Sequence, residues 1–139
     1  IPSDVQKTAY LSGDIEKHVF NNGLTVLLKR NTYFPLVSIQ LALKGGLRQE
    51  TEQNNGISKI TSILWLKGTK SKTSQEISTL TEELGMSLNS FSGKNSMGLS
   101  MNCLSEDVLT AVNMLEEVVK NPVCPNSEIV QAKSLRAAD

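Results

Sequence analysis

Histidine is nearly missing from this chain of 139 residues: His18 is the only one, and Cys103 and Cys124 are the only cysteines. Catalytic zinc draws on imidazole, thiolate and carboxylate donors. With a single histidine, in a predicted strand far from other candidate ligands, no zinc centre built on paired histidines is legible here. The two cysteines could pair, but their spacing matches no zinc or redox motif, and free thiols are the preferred reading. Aromatic residues amount to 4%, and no basic cluster is interleaved with them, which argues against nucleic acid as a partner. Excess charge of either sign is also lacking, since 14 basic residues face 14 acidic ones. The densest positive run, Lys67, Lys70 and Lys72, reads as a solvated loop between two helices. No apolar run approaches the roughly 18 residues of a membrane span, and no signal peptide is visible.

What is present is aliphatic. Hydrophobic residues make up 39% of the chain, enough to bury a moderate core in one globular domain over 1–139, with 1–15 as a leading segment. The chain starts at Ile1-Pro2 and stops at Ala138-Asp139 inside a helical pattern without a stop signal. That implies an excerpt of a longer protein, truncated within its domain, so targeting cannot be judged from these residues.

Two periodicities alternate along the chain. Lys17 to Phe20 and Leu24 to Lys29 flank Asn21-Asn22-Gly23 and predict a β-hairpin. Leu36 to Leu43 alternates as a third strand closed by Gly45-Gly46. Ile60, Ile63, Leu64 and Trp65 recur at helical spacing from Ile57 to a stop at Gly68. A second helix starts near Ser74 behind a serine or threonine cap and ends at Gly85. Met86 to Ser92 and Met97 to Cys103 predict strands around a Gly93-Lys94-Asn95 turn. Ser105 is expected to cap a helix bearing Val108, Ala111, Leu115 and Val118 or Val119, and a last helix is expected from Pro125 through Ile129, Ala132 and Leu135. The order βββααββαα predicts an α+β fold with a mixed, largely antiparallel sheet packed against helices.

Two apparent motifs carry no chemistry. Ser58-Lys59 and Lys59-x-x-Ser62 suggest a serine and lysine pair, yet no nucleophile elbow or oxyanion donor accompanies them. Gly68-Thr-Lys70 lacks the spacing with which successive amides cradle phosphate.

Asn22-Gly-Leu-Thr-Val26, Gly46-x-Arg48-x-Glu50, Lys67-Gly-Thr69, Leu84-Gly85 and Asn121-Pro122 occur in an order and spacing that resemble the insulinase, pitrilysin and mitochondrial processing peptidase family of zinc metallopeptidases. The resemblance covers the chain from about Glu16 onward. It implies a helix carrying H-x-x-E-H, whose two histidines hold zinc from one helix face while the glutamate acts on the metal-bound water. Laid without gaps between Gly56 and Lys67, those positions are Lys59, Ser62 and Ile63. An ammonium, a hydroxyl and a hydrocarbon supply neither ligand nor base. The third ligand, a glutamate in the family, falls on Asp139.

The resemblance therefore implies a non-catalytic half that shapes a substrate chamber around unfolded peptides and supports a zinc-bearing homologous half, in the same chain or on a partner subunit. No cofactor is expected in this chain itself. Leu88, Asn89, Ser90 and Phe91 are similar to the family strand that accepts a peptide along its edge and are the candidate peptide-binding residues. One alternative is an active zinc metalloendopeptidase drawing ligands from Asp139, Glu50 or elsewhere. Another is a purely structural subunit like the core proteins of the respiratory cytochrome complex. A bacterial periplasm or cytoplasm is preferred to a mitochondrion, and a fragment of this kind could form a homodimer through surfaces otherwise covered.

Overall fold

A computed structural model describes residues 5–11 and 14–137 of the chain. The polar turn at Asn21-Asn22-Gly23 closes as expected. Gly23 takes a φ of 85°, the Phe20 amide donates to the Leu24 carbonyl at 2.8 Å, and the Asn22 side chain accepts from the Leu24 amide at 3.0 Å. It joins β2 (Ile15–Phe20) to β3 (Thr25–Lys29). A further strand, β1 (Val5–Leu11), lies in the stretch that reads as a leading segment, and it pairs with β2 to give an antiparallel β1-β2-β3 sheet. Its pairing shifts register between Val5 and Lys7, which breaks the period-2 pattern that would have marked it. These strands belong to one compact unit, Ile1–Phe34; the rest of the chain, Pro35–Asp139, forms a second.

The second unit is a three-stranded antiparallel sheet covered by helices. β4 (Leu36–Lys44), β5 (Ser87–Ser92) and β6 (Ser96–Leu104) lie in the order β4-β6-β5, with β6 central. Along β4 the alternation read from the sequence becomes a burial pattern: Val37, Ile39 and Leu41 turn inward while Ser38 and Gln40 are exposed. The helices are α1 (Ile57–Leu64), α2 (Ser74–Glu83), α3 (Val108–Lys120) and α4 (Asn126–Ala137). The predicted order is thus present from β2 onward, preceded by β1.

The core sits between β6 and α3. Leu99, Met101 and Cys103 alternate on the inner face of β6 and meet Ala111, Met114, Leu115 and Val118 of α3, with Ile77 and Met86 closing the cluster. Residues four and seven apart on α3 fall on one side of the helix, which is why they share one apolar contact. Fully burying an aliphatic side chain of this size contributes about 1.5–3 kcal/mol, so this layer accounts for much of the drive to fold.

Two boundaries differ in detail from the sequence expectation, and the threonine cap of α2 agrees with it. α1 ends at Leu64 and tightens into a 3₁₀ turn over Trp65–Lys67 before Gly68 reverses the chain at φ 133°. The cap of α2 is Thr73: its side chain accepts from the Glu76 amide, and the Glu76 carboxylate accepts in return from the Thr73 amide, a reciprocal capping box. Ser105 does not cap α3. It opens a 3₁₀ turn, Ser105–Asp107, and its amide donates to the Pro35 carbonyl at 2.9 Å, so this residue finishes the sheet instead of starting the helix.

Candidate functional site

The loop between β4 and α1 folds onto the β5–β6 turn through backbone bonds. Leu47 and Arg48 amides donate to the carbonyls of Gly93 (3.2 Å) and Lys94 (3.0 Å). Gly46 makes this possible: its φ is 87°, and a Cβ there would overlap the Gly93 carbonyl oxygen. The Gly46 amide in turn donates to the buried Ser58 Oγ at 3.1 Å. α1 begins at Gly56, which has no side chain to cap the helix. Glu50 reaches across to do so, accepting from the amides of Gly56 (2.5 Å) and Ser58 (2.9 Å). A carboxylate at a helix N-terminus satisfies free amides and complements the helix dipole. Gly46 and Glu50, two of the residues that carry the family resemblance, are therefore structural supports of α1.

The three motif positions fall on α1, which lies against β5, β6 and α4. Lys59 is exposed, Ser62 is 2% exposed and Ile63 is half-buried. The Ser62 hydroxyl donates to the Lys59 carbonyl at 2.8 Å, a bond back along its own helix that commits its proton. Lys59 and Ile63 stand four apart on one face, as the two metal-binding positions must. They present a cation and a hydrocarbon, so these residues do not fit a zinc ion and no step through one is derived. No group of three or more His, Cys, Asp and Glu side chains that could hold a metal is found among the described residues. Glu50, proposed as an alternative ligand, is engaged by the α1 amides. Asp139 lies outside the described residues. His18 sits in β2 with its Nε2 3.3 Å from Glu16 Oε2.

β5 occupies one edge of its sheet, pairing with β6 alone among the described residues. Leu88 packs on the core, Asn89 is exposed, and Ser90 and Phe91 are half-buried. Phe91 stands opposite Gly98 of β6. A Cβ on Gly98 would strike the Leu41 carbonyl and come within 2.9 Å of the Phe91 ring, so the aromatic closely covers the glycine. Asn89 and Phe91 therefore share the face of β5 opposite to Leu88.

One polar cluster escaped the sequence reading because its members are far apart in the chain. Glu117 of α3 accepts from Thr69 Oγ1 (2.7 Å), Lys72 Nζ (2.8 Å) and the Ser71 hydroxyl. Hydrogen bonds from Lys72, then Ser71 and Thr69, hold its carboxyl at about 2, below the ordinary 4.5. The Lys70 amide donates to Asn121 O at 3.0 Å, and the Val123 amide to Gly68 O at 3.1 Å. These bonds tie Lys67-Gly-Thr69 to Asn121-Pro122. The positive run is accordingly a loop between helices, with Lys67 paired to Glu128 (3.1 Å) and Lys72 to Glu117. Cys103 is buried and Cys124 exposed, both as free thiols, and burial pushes the Cys103 thiol up. No helix is long and apolar enough to cross a membrane among the described residues.

Comparison with known proteins agrees with this arrangement. Residues 25–138 match the family model described as insulinase, peptidase family M16. An uncharacterized zinc protease of Rickettsia felis is 32% identical over 110 residues, covering 79% of this chain and 27% of that protein. The mitochondrial-processing peptidase subunit beta of Neurospora crassa is 27% identical over 114 residues (82% and 24%). Subunit 1 of the mitochondrial cytochrome b-c1 complex of Rattus norvegicus is 28% identical over 117 residues (84% and 24%). The chain thus spans about a quarter of the length of these relatives. A crystal structure of a peptidase M16 inactive domain from Pseudomonas fluorescens superposes with a TM-score of 0.83 at 21% identity, over 90% of this chain and 31% of that one, which establishes the shared fold. A match to the family model over residues 25–138, most of the chain, shows that this chain belongs to the insulinase (M16) peptidase family.

Proposed function

We propose that this chain is part of a non-catalytic half of an M16 peptidase, which helps enclose an unfolded peptide and supports a zinc-bearing homologous half in the same polypeptide or on a partner subunit. The observation that carries the proposal is α1: a well-capped helix in the metal-bearing position with Lys59, Ser62 and Ile63 where ligands and base would stand. The M16 domain it resembles in fold is itself described as inactive. In this reading zinc belongs to the partner half, and the compartment is bacterial, as for the Rickettsia relative. The edge of β5 at Leu88, Asn89, Ser90 and Phe91 would add a peptide strand through backbone bonds, which need no zinc.

The test is elemental analysis of zinc after dialysis, paired with hydrolysis of a quenched unstructured peptide, on this chain and on the full-length protein. Zinc-free, inactive chain beside a metal-bound, active parent supports the proposal. Stoichiometric zinc with chelator-sensitive cleavage by this chain alone overturns it. For the edge, proline is placed at Asn89 and at Ser90 in turn, since neighbouring amides in a strand point to opposite sides and one of the two faces the free edge. Unchanged peptide affinity in both folded variants refutes strand addition.

A second reading, a structural subunit without any role in proteolysis, is favoured by the likeness to the cytochrome b-c1 subunit. It predicts that removing this half destabilises an assembly without altering peptide turnover by the catalytic half.

A further inference from the structure

The fold gathers cations that the sequence keeps apart. Lys44 ends β4 opposite Ser96. Arg48 donates its amide to the carbonyl of Lys94 in the β5–β6 turn. The bond from Gly46 to Ser58 brings the first turn of α1, with Lys59, to the same corner. All four side chains are exposed, and no ion pair engages any of them among the described residues, whereas Lys67, Lys72 and Lys120 each meet a carboxylate there. Of the two carboxylates in the loop between β4 and α1, Glu50 is turned onto the α1 amides and Glu52 is exposed, so four cations stand against two acids. Near Arg48 and Lys59 in the chain, Leu47 and Ile57 are 57% and 52% exposed. In a chain with equal numbers of acids and bases, this corner is locally basic and locally apolar.

We infer that this corner is a docking surface for an acidic peptide segment with interspersed apolar residues. The four ammonium and guanidinium groups are matched by carboxylates, and the guanidinium of Arg48 can take one in bidentate fashion. Leu47 and Ile57 would each bury apolar area against a hydrophobic side chain, a gain that an inorganic polyanion cannot realise. That mixture selects a peptide over a phosphate chain. Solvent-exposed charge pairs act mainly on encounter and specificity, so the binding is fast and salt-dependent.

The test uses the full chain and a short fluorescent peptide of glutamates interspersed with leucines, followed by anisotropy. Its counterpart with every glutamate replaced by glutamine is expected to bind at least about tenfold more weakly, and salt at several times physiological strength to weaken the acidic peptide comparably. The double variant Arg48→Glu/Lys94→Glu should lose binding, while Lys133→Glu, a charge reversal at an exposed position of α4, leaves it unchanged. Leu47→Ser should weaken it severalfold. Each variant is checked for an unaltered thermal transition, which these exposed positions should preserve. Equal binding of the glutamate and glutamine peptides, or retention of binding by the Arg48→Glu/Lys94→Glu variant, overturns the inference. Inorganic polyphosphate that competes fully, with Leu47→Ser without effect on peptide binding, overturns the peptide as ligand in favour of a plain anion site.

Discussion

Replacing Glu50 with alanine isolates the support beneath the degenerate helix. Two α1 amides, those of Gly56 and Ser58, lose a charged acceptor at 2.5 and 2.9 Å, and Gly56 has no side chain to substitute. Hydrogen bonds to charged groups are worth about 1.5–3 kcal/mol each and a helix cap about 1 kcal/mol. Water can partly replace the carboxylate at a half-buried position, so the two bonds do not add fully, and a loss of about 2–3 kcal/mol is expected. At about 4 °C per kcal/mol for a domain of this size, the midpoint should fall by roughly 10 °C. Glu50→Gln keeps an acceptor oxygen but no charge and should lose about half as much. The assay is thermal unfolding followed by circular dichroism, with and without a zinc chelator. A Glu50→Ala midpoint within the error of the parent would refute the capping argument. A chelator that lowers the parent's midpoint to that of the variant would show that Glu50 serves a metal instead.

Glu117 should make stability depend on acid. Its folded pKa of about 2 lies below the ordinary 4.5, so its contribution is full above about 4.5 and is lost as pH falls towards 2; Glu117→Gln should flatten that part of a stability curve measured by denaturant unfolding, and an unchanged slope would dissolve the clasp with Thr69, Ser71 and Lys72. Gly46→Ala should cost about 3 kcal/mol or leave the chain insoluble, because left-handed strain adds to overlap with the Gly93 carbonyl. Gly23→Ala, at nearly the same φ but with open space around it, should cost about 1 kcal/mol; equal losses in the two would mean that strain alone matters. Leu99→Ala, at a fully buried position of β6, should cost about 3–5 kcal/mol in chemical unfolding, and a loss under about 1 kcal/mol would place the core elsewhere.

Most of the fold was legible because its signals are local. The Asn21-Asn22-Gly23 turn, the alternation of β4, the stripe on α3 and the glycine after α2 each act within a few residues. β1 was not legible, since its register shift scrambles the alternation, and Ser105 misled because a serine before acids resembles a cap whether or not the chain is already helical. The candidate site divides in the same way. The absence of H-x-x-E-H is read directly from Lys59, Ser62 and Ile63. The corner formed by Lys44, Arg48, Lys59 and Lys94 and the Glu117 clasp depend on residues brought together from distant elements, which no window on the sequence contains.

This division explains how a chain can resemble a metallopeptidase without H-x-x-E-H. The residues that carry the likeness have jobs in the fold. Gly46 admits the Gly93 carbonyl, Glu50 caps α1, Thr69 bonds Glu117, and the backbone around Gly68 ties to Asn121-Pro122. Changing Gly46 or Glu50 removes a close packing or a partly buried bond, at a cost of order 1–3 kcal/mol out of a total stability of about 5–15. The motif positions carry no such load. Lys59 points into solvent, Ser62 satisfies its own hydroxyl within the helix, and Ile63 adds apolar surface at a half-buried site. Lys59 is exposed and the Ser62 hydroxyl bonds within α1, so exchange at these positions breaks no bond to another element among the described residues, although the buried Ser62 site admits only a small side chain. A helix restored to H-x-x-E-H by Lys59→His/Ser62→Glu/Ile63→His should accordingly still not catalyse. Placing a glutamate at the 2%-exposed Ser62 position would bury a carboxylate with no established partner, and the expected result is a less stable, inactive variant. Peptide cleavage by that variant alone, dependent on added zinc, would show that only the three residues separate this chain from an enzyme.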